Sequence, residues 1–227
     1  MTDRPIIFSA PMVKALLDGH KSQTRRIAKI KWRDAANQDF TGWRPEQVGA
    51  THWQLIGGMG VGANIAAPCA KGDRLWVRET HSTHNAHGTD RQDGKRWGPW
   101  GGLPTAVSPD GERIAYYREG FDRCGFSSWR PSIHMPRWAS RLTLVVTDVR
   151  VQRLREISAE DVAAEGACEL AFIPATEEDT AEARAVFRDI WNSLHGPDAW
   201  DANPWVAALR FETHRCNIDQ MRGQADE

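Results

Sequence analysis

The stretch RPIIFSAPMVKALLDGHKSQTRR, residues 4–26, decides how the fold begins. Its apolar run IIF predicts a short strand, and Ser9 after it is a favourable residue to cap a helix. Apolar residues then recur at helical spacing up to Leu17, and Gly19 ends the pattern. We therefore predict a strand, a short helix and a cationic loop, GHKSQTRR, at residues 19–26.

Further patterned segments follow this opening along the chain. GDRLWVRE alternates as a strand, and RLTLVVTDVRVQRL predicts a longer one. Two helices follow, the first from Ser158 to Gly166 with a capping-box-like start and the second, amphipathic, over residues 176–194. WVAALRFE predicts a final strand. Strands with helices at their edges indicate an α+β fold, which we expect to be a small mixed β-barrel with flanking helices.

Two polar, glycine-rich segments interrupt these elements, at about residues 31–67 and 81–113. They have little periodicity, so we interpret them as long irregular loop insertions, the second of them a flap or lid. The chain is predicted to form a single domain over residues 1–215, followed by a polar, frayed tail at residues 216–227.

Composition excludes several classes of protein. Lysine and arginine total 29 against 30 acidic residues, so a net charge of −1 argues against a protein that coats nucleic acid through bulk charge. No stretch approaches the roughly 18 apolar residues of a membrane-spanning helix, and the N-terminus lacks a signal peptide's apolar run. The four cysteines form no C-x-x-C pair. We therefore expect a soluble cytoplasmic protein without a membrane partner; the sequence leaves the oligomeric state open.

Tryptophan is unusually abundant, with eleven in the chain against two tyrosines. Several of them stand in polar, glycine-rich stretches, where a flat ring either stacks on a base or fills a small core beneath a loop. We favour the small cores. The tryptophans concerned are Trp32, Trp43, Trp53, Trp97 and Trp100.

Three histidines, His81, His84 and His87, have the spacing H-x-x-H-x-x-H. Such a pattern suits a metal site when its members share one face of a helix. Here it falls in a segment predicted to be a loop, so we predict no metal site.

The order of these motifs resembles the ASCH family, which is named after the activating signal cointegrator homology domain. The resemblance rests on G-x-K-x-x-T-x-R after a strand and short helix, a G-D-x-L-x-V strand, the VTDV strand, a helix ending in EG and a closing strand. It covers about half of the chain, namely residues 4–30, 68–80, 141–168 and 203–213. The opening, SIHMPRWASRLTL and WDANPW look like longer members common in phages and prophages. The resemblance implies a PUA-like β-barrel.

The resemblance also implies an activity and a set of site residues. Members of the family include small bacterial amidohydrolases that remove the acetyl group from N4-acetylcytidine without a metal or other cofactor. Carried over residue by residue, their proton acceptor falls on Lys21, their nucleophile on Thr24 and their proton donor on Glu165. The implied partner is therefore a small-molecule acylated nucleoside or base. The two insertions are absent from those small enzymes, which leaves the substrate more open than the site.

The residue types suit that chemistry. A threonine hydroxyl needs a base, and Lys21 is a base only when neutral, which near neutral pH requires its pKa to fall by about 3 units from about 10.4. Burial and repulsion from Arg25 and Arg26 would both lower that pKa. Glu165 lies in the last turn of its helix, where the negative end of the dipole favours a protonated carboxyl. The alternative is a solvated cationic turn and an exposed glutamate without a task.

We place Arg25, Arg26 and Glu79 at the substrate-binding edge of the site. Glu79 ends the G-D strand, where we expect it to face the barrel interior and to pair with Arg25 or Arg26. A structural ion pair is favoured over a direct role in catalysis for this glutamate.

Two other functions remain open from the sequence alone. A PUA-like module would bind RNA or DNA through the arginines and the tryptophan-rich segments, which makes RNA an alternative partner. A metal-independent ribonuclease would use the same cationic turn to stabilise a phosphorane. A closed pocket joining Lys21, Thr24 and Glu165 favours the amidohydrolase, whereas an open cationic groove favours binding.

Overall fold

The structure is a computed structural model, and it describes residues 1–31, 42–57, 60–86, 102–123, 128–167 and 177–221. The chain divides into two compact units. The first unit consists of Met1–Asp18, Arg74–Val145 and Thr213–Glu227, and the second of Gly19–Asp73 and Val146–Glu212. The predicted domain limits, 1–215 and a tail, stay a prediction.

The described residues combine strands with three α-helices, so the chain is of the mixed α+β class, as the sequence predicts. Short 3-10 turns lie at Ser132–His134, Arg137–Ala139 and Leu154–Glu156. In chain order the elements are β1 (Asp3–Ile7), α1 (Ala10–Leu17), β2 (Gln23–Ile27), β3 (Lys29–Lys31), β4 (Arg44–Gly49), β5 (His52–Gly57), β6 (Gly60–Ala66), β7 (Arg74–Arg78), β8 (His81–Asn85), β9 (Thr105–Val107), β10 (Arg113–Tyr117), β11 (Thr143–Arg153), α2 (Ala159–Ala164), α3 (Glu177–His195) and β12 (Trp205–His214).

The first unit is built on β1, which runs parallel to β7, while β7 pairs antiparallel with the first residues of β11. A separate antiparallel sheet has the order β8-β10-β9. Helix α1 buries Val13 and Leu16, the positions that carry its helical pattern. Beneath the small sheet lies a cluster of Ala115, Tyr117, Met135 and Ala139.

The second unit contains the antiparallel pair of β2 and β12 and a four-stranded sheet of order β3-β6-β5-β4. Helix α3 packs Ala183, Phe187 and Trp191 against the core, because residues about one turn apart share a face, whereas Val186 and Leu194 of the predicted apolar pattern are exposed. Its amphipathic pattern and its bounds agree with the prediction to within one residue. The core cluster comprises Leu154, Ile157, Val162, Ala183, Phe187, Trp191, Trp200 and Val206.

The predicted barrel is wrong for the described strands. They form open sheets of five, three and four strands, and each sheet ends in two edge strands instead of closing on itself. A barrel requires its first and last strands to pair, with a stagger that the whole sheet must supply. The class of the fold was thus predictable from local patterns, but sheet closure was not.

Three segments predicted to be irregular contain strands. GHKSQTRR is a loop only as far as Ser22, because Gln23–Ile27 forms β2 and pairs with β12. The predicted insertion at about residues 31–67 includes the hairpins of β4, β5 and β6. The insertion at about residues 81–113 includes β8 and β9, which both pair with β10. The rest of these insertions, 32–41, 58–59 and 87–101, lies outside the described residues.

The tryptophans of the second unit serve its packing. Trp53 is buried, and the ring of Trp43 lies against Gly57 and Gly62. A Cβ atom at either glycine would approach that ring to 2.6 or 2.4 Å, which is closer than packed atoms allow. These glycines therefore make room for Trp43, and the small-core interpretation holds for both tryptophans. Trp32, Trp97 and Trp100 lie outside the described residues.

The predicted tail does not begin as a frayed segment. Ile218 is fully buried, and the Asn217 amide donates hydrogen bonds to three backbone carbonyls of the first unit, at 2.8 to 3.2 Å. Residues 222–227 lie outside the described part of the chain. Within the described ranges no helix combines the length and apolarity needed to cross a bilayer.

Candidate functional site

Lys21 and Glu165 meet inside the second unit although 144 residues separate them in sequence. The Lys21 Nζ donates hydrogen bonds to the Glu165 Oε2 at 3.0 Å and to the Glu165 carbonyl oxygen at 2.6 Å. The backbone supports this contact, because the Ser22 N–H donates to the Ala164 carbonyl at 2.9 Å. The two side chains are 0% and 6% exposed, so the structure places both sequence-predicted residues in one buried ion pair.

Helix α2 positions Glu165 through both of its ends. The Ser158 side chain caps the helix by accepting a hydrogen bond from the Asp161 N–H at 3.2 Å, as the sequence predicts. Gly166 follows the helix with φ of 69°, a left-handed conformation that glycine adopts at little cost. Glu165 is therefore the last residue before the chain turns, with its carbonyl and its carboxylate both available to Lys21.

Arg25 binds two carboxylates of helix α2 and its C-cap, those of Asp161 and Glu165. Its Nη1 donates to the Glu165 Oε1 at 3.2 Å and its Nη2 donates to the Asp161 Oδ2 at 2.6 Å. The Arg25 side chain is fully buried, and its guanidinium lies 5.9 Å from the centroid of the Phe187 ring. Arg25 was predicted as a substrate-binding residue, but in this structure its two terminal nitrogens serve to hold α2 against β2.

Sequence reasoning missed three further residues of this cluster. The Arg150 Nη2 donates to the Asp161 Oδ1 at 2.8 Å and to the Gln23 Oε1 at 2.9 Å, and the Arg210 Nε donates to the same Gln23 oxygen at 3.2 Å. The available signal was an arginine in each of two predicted strands, VTDVRV and AALRF. Because the Arg150 and Arg210 side chains are 39% and 50% exposed, burial alone did not require a partner for either.

Thr24 is buried in β2 but does not join the ion pair. It is 2% exposed, and over the described residues its hydroxyl makes no hydrogen bond. Successive side chains of a strand point to opposite faces, so Thr24 lies on the face opposite to Gln23 and Arg25. The structure thus brings together two members of the predicted triad and leaves the third on the neighbouring face of the same edge strand.

Arg26 links these two faces electrostatically. By strand alternation it shares the face of Thr24. Burial lowers the pKa of Arg26, and the Glu165 carboxylate opposes that shift, which indicates that the charges of Arg26 and Glu165 lie within interaction range. Burial lowers the pKa of His195 at the end of α3, and repulsion from the Arg26 guanidinium lowers it further. Arg26 therefore interacts electrostatically with Glu165, although strand alternation places its side chain on the face of Thr24.

The electrostatics of the cluster lower the pKa of Lys21. Burial lowers the pKa of Lys21 more than the Glu165 carboxylate raises it, and Arg26 and Arg25 lower it further by repulsion. Asp161 behaves in the opposite way, because hydrogen bonds and charge from Arg150 and Arg25 outweigh its burial and hold its pKa below the ordinary value. Asp161 is therefore more readily ionised than an ordinary aspartate, whereas the ammonium form of Lys21 is less favoured than that of an ordinary lysine.

Glu79 lies in the first unit and is paired there. The Arg141 Nε and Nη2 each donate to one oxygen of the Glu79 carboxylate at 2.8 Å. The predicted partners were Arg25 or Arg26, but Arg25 instead binds Glu165 and Asp161. The predicted partner is therefore wrong, whereas the predicted structural ion pair exists with Arg141. The role of Glu79 in binding a substrate stays a prediction.

The histidines of the H-x-x-H-x-x-H segment do not converge where they are described. His81 and His84 lie in β8 three positions apart, so their side chains point to opposite faces of the strand. The His84 ring contacts the Ser82 hydroxyl at 2.9 Å. His87 lies outside the described residues. A search of the described part of the chain finds no group of three or more potential metal ligands.

The buried pair of Lys21 and Glu165 has two chemical capacities. As an ion pair it fastens the end of α2 to β2, since the Lys21 amine also satisfies a C-terminal carbonyl of that helix. As an amine and a carboxyl group in contact, the pair also has the two kinds of group that general acid–base catalysis uses. The first capacity is structural and the second requires a nucleophile nearby, for which Thr24 is the candidate.

Comparisons with known proteins add no relative. No protein-family model, no curated protein and no solved structure matches the chain. The resemblance to the ASCH family therefore stays a prediction that rests on the quoted motifs, and the site described above is known from its own geometry.

Proposed function

We propose that this protein is a metal-independent amidohydrolase of the ASCH family that acts in the cytoplasm on small molecules. It would remove the acyl group from the exocyclic amine of N4-acylated cytidine or cytosine, as in the conversion of N4-acetylcytidine to cytidine and acetate. The observation that carries the proposal is the buried contact of 3.0 Å between the Lys21 Nζ and the Glu165 Oε2. This contact places the proposed base, Lys21, next to the proposed acid, Glu165.

The pair becomes active by moving one proton. In a buried site two separate charges are costly, so transfer of a proton from the Lys21 ammonium to the Glu165 carboxylate yields a neutral amine and a neutral acid without any proton from solvent. The lowered pKa of Lys21 has the direction that this transfer requires. The transferred state contains the general base and the general acid of the reaction together.

The nucleophilic step uses Thr24. Lys21 accepts the Thr24 hydroxyl proton while the hydroxyl oxygen attacks the acyl carbonyl, and the Arg26 guanidinium or backbone N–H groups stabilise the oxyanion. Glu165 then protonates the departing amine, and water hydrolyses the acyl-threonine. The Lys21 amine must turn from the Glu165 carbonyl to Thr24 for this step, and catalytic contacts often tighten only once substrate is bound.

Burial of the cations favours this function over nucleic-acid binding. A module that grips a phosphate backbone needs cations that reach solvent, because the affinity comes from replacing counterions on the nucleic acid. The side chains of Lys21 and Arg25 are fully buried and already bind carboxylates. The same argument weighs against a ribonuclease that would use these two residues to stabilise a phosphorane.

The test is release of cytidine from N4-acetylcytidine by the purified protein, followed by chromatography. We expect turnover in the wild type and in the control Thr147→Ala, a partly buried threonine of β11, and loss of turnover in Thr24→Ala. Glu165→Gln is expected to lose activity, whereas Glu160→Gln, an exposed glutamate of the same helix, retains it. Full activity in Thr24→Ala would remove Thr24 as the nucleophile, and absence of cytidine release by the folded wild type would refute the proposed substrate.

A further inference from the structure

The first unit contains a pocket of about 500 Å³ that the proposed function does not use. It lies between β9, the chain around Trp138 and the residues that follow β12. Its volume falls in the range of sites for small organic ligands, about 300–1,000 Å³. The lining residues that matter for its chemistry are Val107, Trp138, Arg141, Arg215, Asp219 and Gln220.

Arg141 is held rigidly in the wall of this pocket. Its Nε and Nη2 bind the buried Glu79 carboxylate, and its Nη2 also donates to the Glu119 carbonyl at 3.1 Å. Its guanidinium lies 4.2 Å from the centroid of the Tyr117 ring, whose hydroxyl is itself anchored on the Ala139 carbonyl at 2.8 Å. A guanidinium fixed on two sides loses little freedom when it binds a ligand.

One nitrogen of this guanidinium remains available. Across the described residues the Arg141 Nη1 makes no hydrogen bond, although the other two nitrogens are saturated. The Arg141 side chain is 13% exposed, and Arg141 is a residue of the pocket wall. Since both oxygens of the Glu79 carboxylate bind Arg141, Glu79 acts as a positioning residue that fixes the guanidinium in the pocket wall.

The rest of the pocket adds donors and offers few acceptors. The Arg215 guanidinium donates one hydrogen bond, to the Leu17 carbonyl, and over the described ranges its other N–H groups have no partner. The Trp138 indole N–H likewise makes no hydrogen bond to a described residue. The Asp219 carboxylate, in contrast, is occupied by Arg137 at 2.7 and 3.1 Å. A pocket with free donors and an occupied carboxylate favours an anion.

We infer that this pocket binds a small organic anion with a planar ring. Its carboxylate or phosphate oxygens accept hydrogen bonds from the Arg141 Nη1 and the Arg215 guanidinium, and its ring packs between Trp138 and Val107. Guanidinium groups suit oxyanions because their N–H groups form a planar fork, and an indole face suits a flat ring. The inference concerns the first unit alone and does not depend on amidohydrolase activity.

The binding test uses phenyl phosphate and benzoate as probes, with phenol as the neutral analogue and inorganic phosphate as the ring-free analogue. Ligand-observed NMR titration measures each dissociation constant on the full-length protein. We expect saturable binding of the two aromatic anions with Kd in the millimolar range or tighter, and binding of phenol at least about tenfold weaker, the equivalent of one charge-assisted hydrogen bond. Equal binding of phenol and benzoate would overturn the inference, as would no saturable binding of either aromatic anion.

Variants locate the binding. Arg215→Gln is expected to weaken binding of phenyl phosphate by about tenfold, and Val107→Trp, which fills the pocket from an exposed position, to abolish it. Arg123→Gln removes an exposed arginine of the same unit outside the lining and is the control. Glu79→Gln combined with Arg141→Gln removes both charges of the buried pair together, which avoids a lone buried charge.

The single variants decide the inference. Tenfold weaker binding in Arg215→Gln, with unchanged binding in Arg123→Gln, supports it. Unchanged affinity in both Arg215→Gln and Val107→Trp overturns it, whatever the double variant does, because both of these side chains are exposed and their replacement leaves the buried pair of Glu79 and Arg141 intact.

Discussion

The two units solve the same physical problem, a buried carboxylate, in different ways. In the first unit Glu79 is matched by one arginine through two parallel hydrogen bonds. In the second unit Glu165 is shared between Lys21 and Arg25. Arginine does not lose its proton in proteins, whereas a buried lysine does. The first pair is therefore suited to hold a guanidinium in place, whereas the lowered pKa of Lys21 makes the second pair the candidate for proton exchange.

The largest effect that separates the two pairs is expected for Lys21→Met. Loss of the general base should lower the rate of N4-acetylcytidine hydrolysis by about 10²–10⁴-fold. Lys21→Arg should not restore it, because arginine keeps its charge and cannot serve as the base. The control is Lys71→Met, an exposed lysine of the same unit. Steady-state assays of the three folded variants check this, and an active Lys21→Arg would show that the charge and not the proton matters.

The second effect concerns stability, through Arg25→Met. This change leaves Asp161 and Glu165 with fewer cations in a buried site, which should lower the free energy of unfolding by about 3–5 kcal/mol. Urea denaturation followed by circular dichroism measures it. Arg188→Met, an exposed arginine on α3, is the matched control and should change the free energy by less than about 0.5 kcal/mol. Similar values for the two variants would mean that the buried network does not hold α2.

A smaller effect is expected for Glu79→Gln in the first unit. Arg141 would lose its carboxylate, but its guanidinium reaches the pocket and can be solvated there, so we expect a loss of about 1–3 kcal/mol in the free energy of unfolding. Glu112→Gln, an exposed glutamate of the same unit, serves as control. A loss as large as that of Arg25→Met would mean that Arg141 is as cut off from solvent as Arg25.

The smallest effect is a difference in pH dependence between two buried carboxylates. The pKa of Asp161 is lowered in the folded state, so its contribution to stability is present above the ordinary value of 3.8 and is lost as the pH falls below it. Burial raises the pKa of Glu79 above 4.5, so between 4.5 and the raised value the folded state binds more protons and stability decreases as the pH rises.

Asp161→Asn and Glu79→Gln should therefore change the slope of stability against pH in opposite directions, each within its own pH window. Denaturation curves at a series of acidic pH values, compared with those of the wild type, measure the two slopes. Slopes that change in the same direction in both variants would contradict the assignment of one lowered and one raised pKa.

The predictions of helices and strands were correct where the spacing of apolar residues within one segment indicates its structure. Helix α3 follows from apolar residues at helical spacing, and strand β12 follows from apolar residues at alternate positions. The cap at Ser158 follows from residue type. β2 was missed because its inward positions are Gln23 and Arg25, which are buried by pairing with charged groups instead of by apolar character. A polar strand of this kind looks like a loop until its partners are known.

The candidate site was predicted in part. Lys21 and Glu165 were named from a motif and do meet, whereas the roles of Asp161 and Arg150 were not anticipated. The bond between Arg150 and Asp161 joins a strand to a helix, and no spacing rule in the sequence relates such positions. The partner of Glu79 was missed for the same reason, since Arg141 stands 62 residues away from it.

The sequence by itself determined the α+β class, the principal helices, most of the strands and the residue types able to exchange protons, because these depend on periodicity and side-chain chemistry within short segments. Only the tertiary structure decided that the sheets stay open, that Lys21 reaches Glu165 while Thr24 lies on the other face of β2, and that Glu79 holds Arg141 at a pocket. These outcomes depend on which distant segments pair, and pairing is set by the packing of the whole chain.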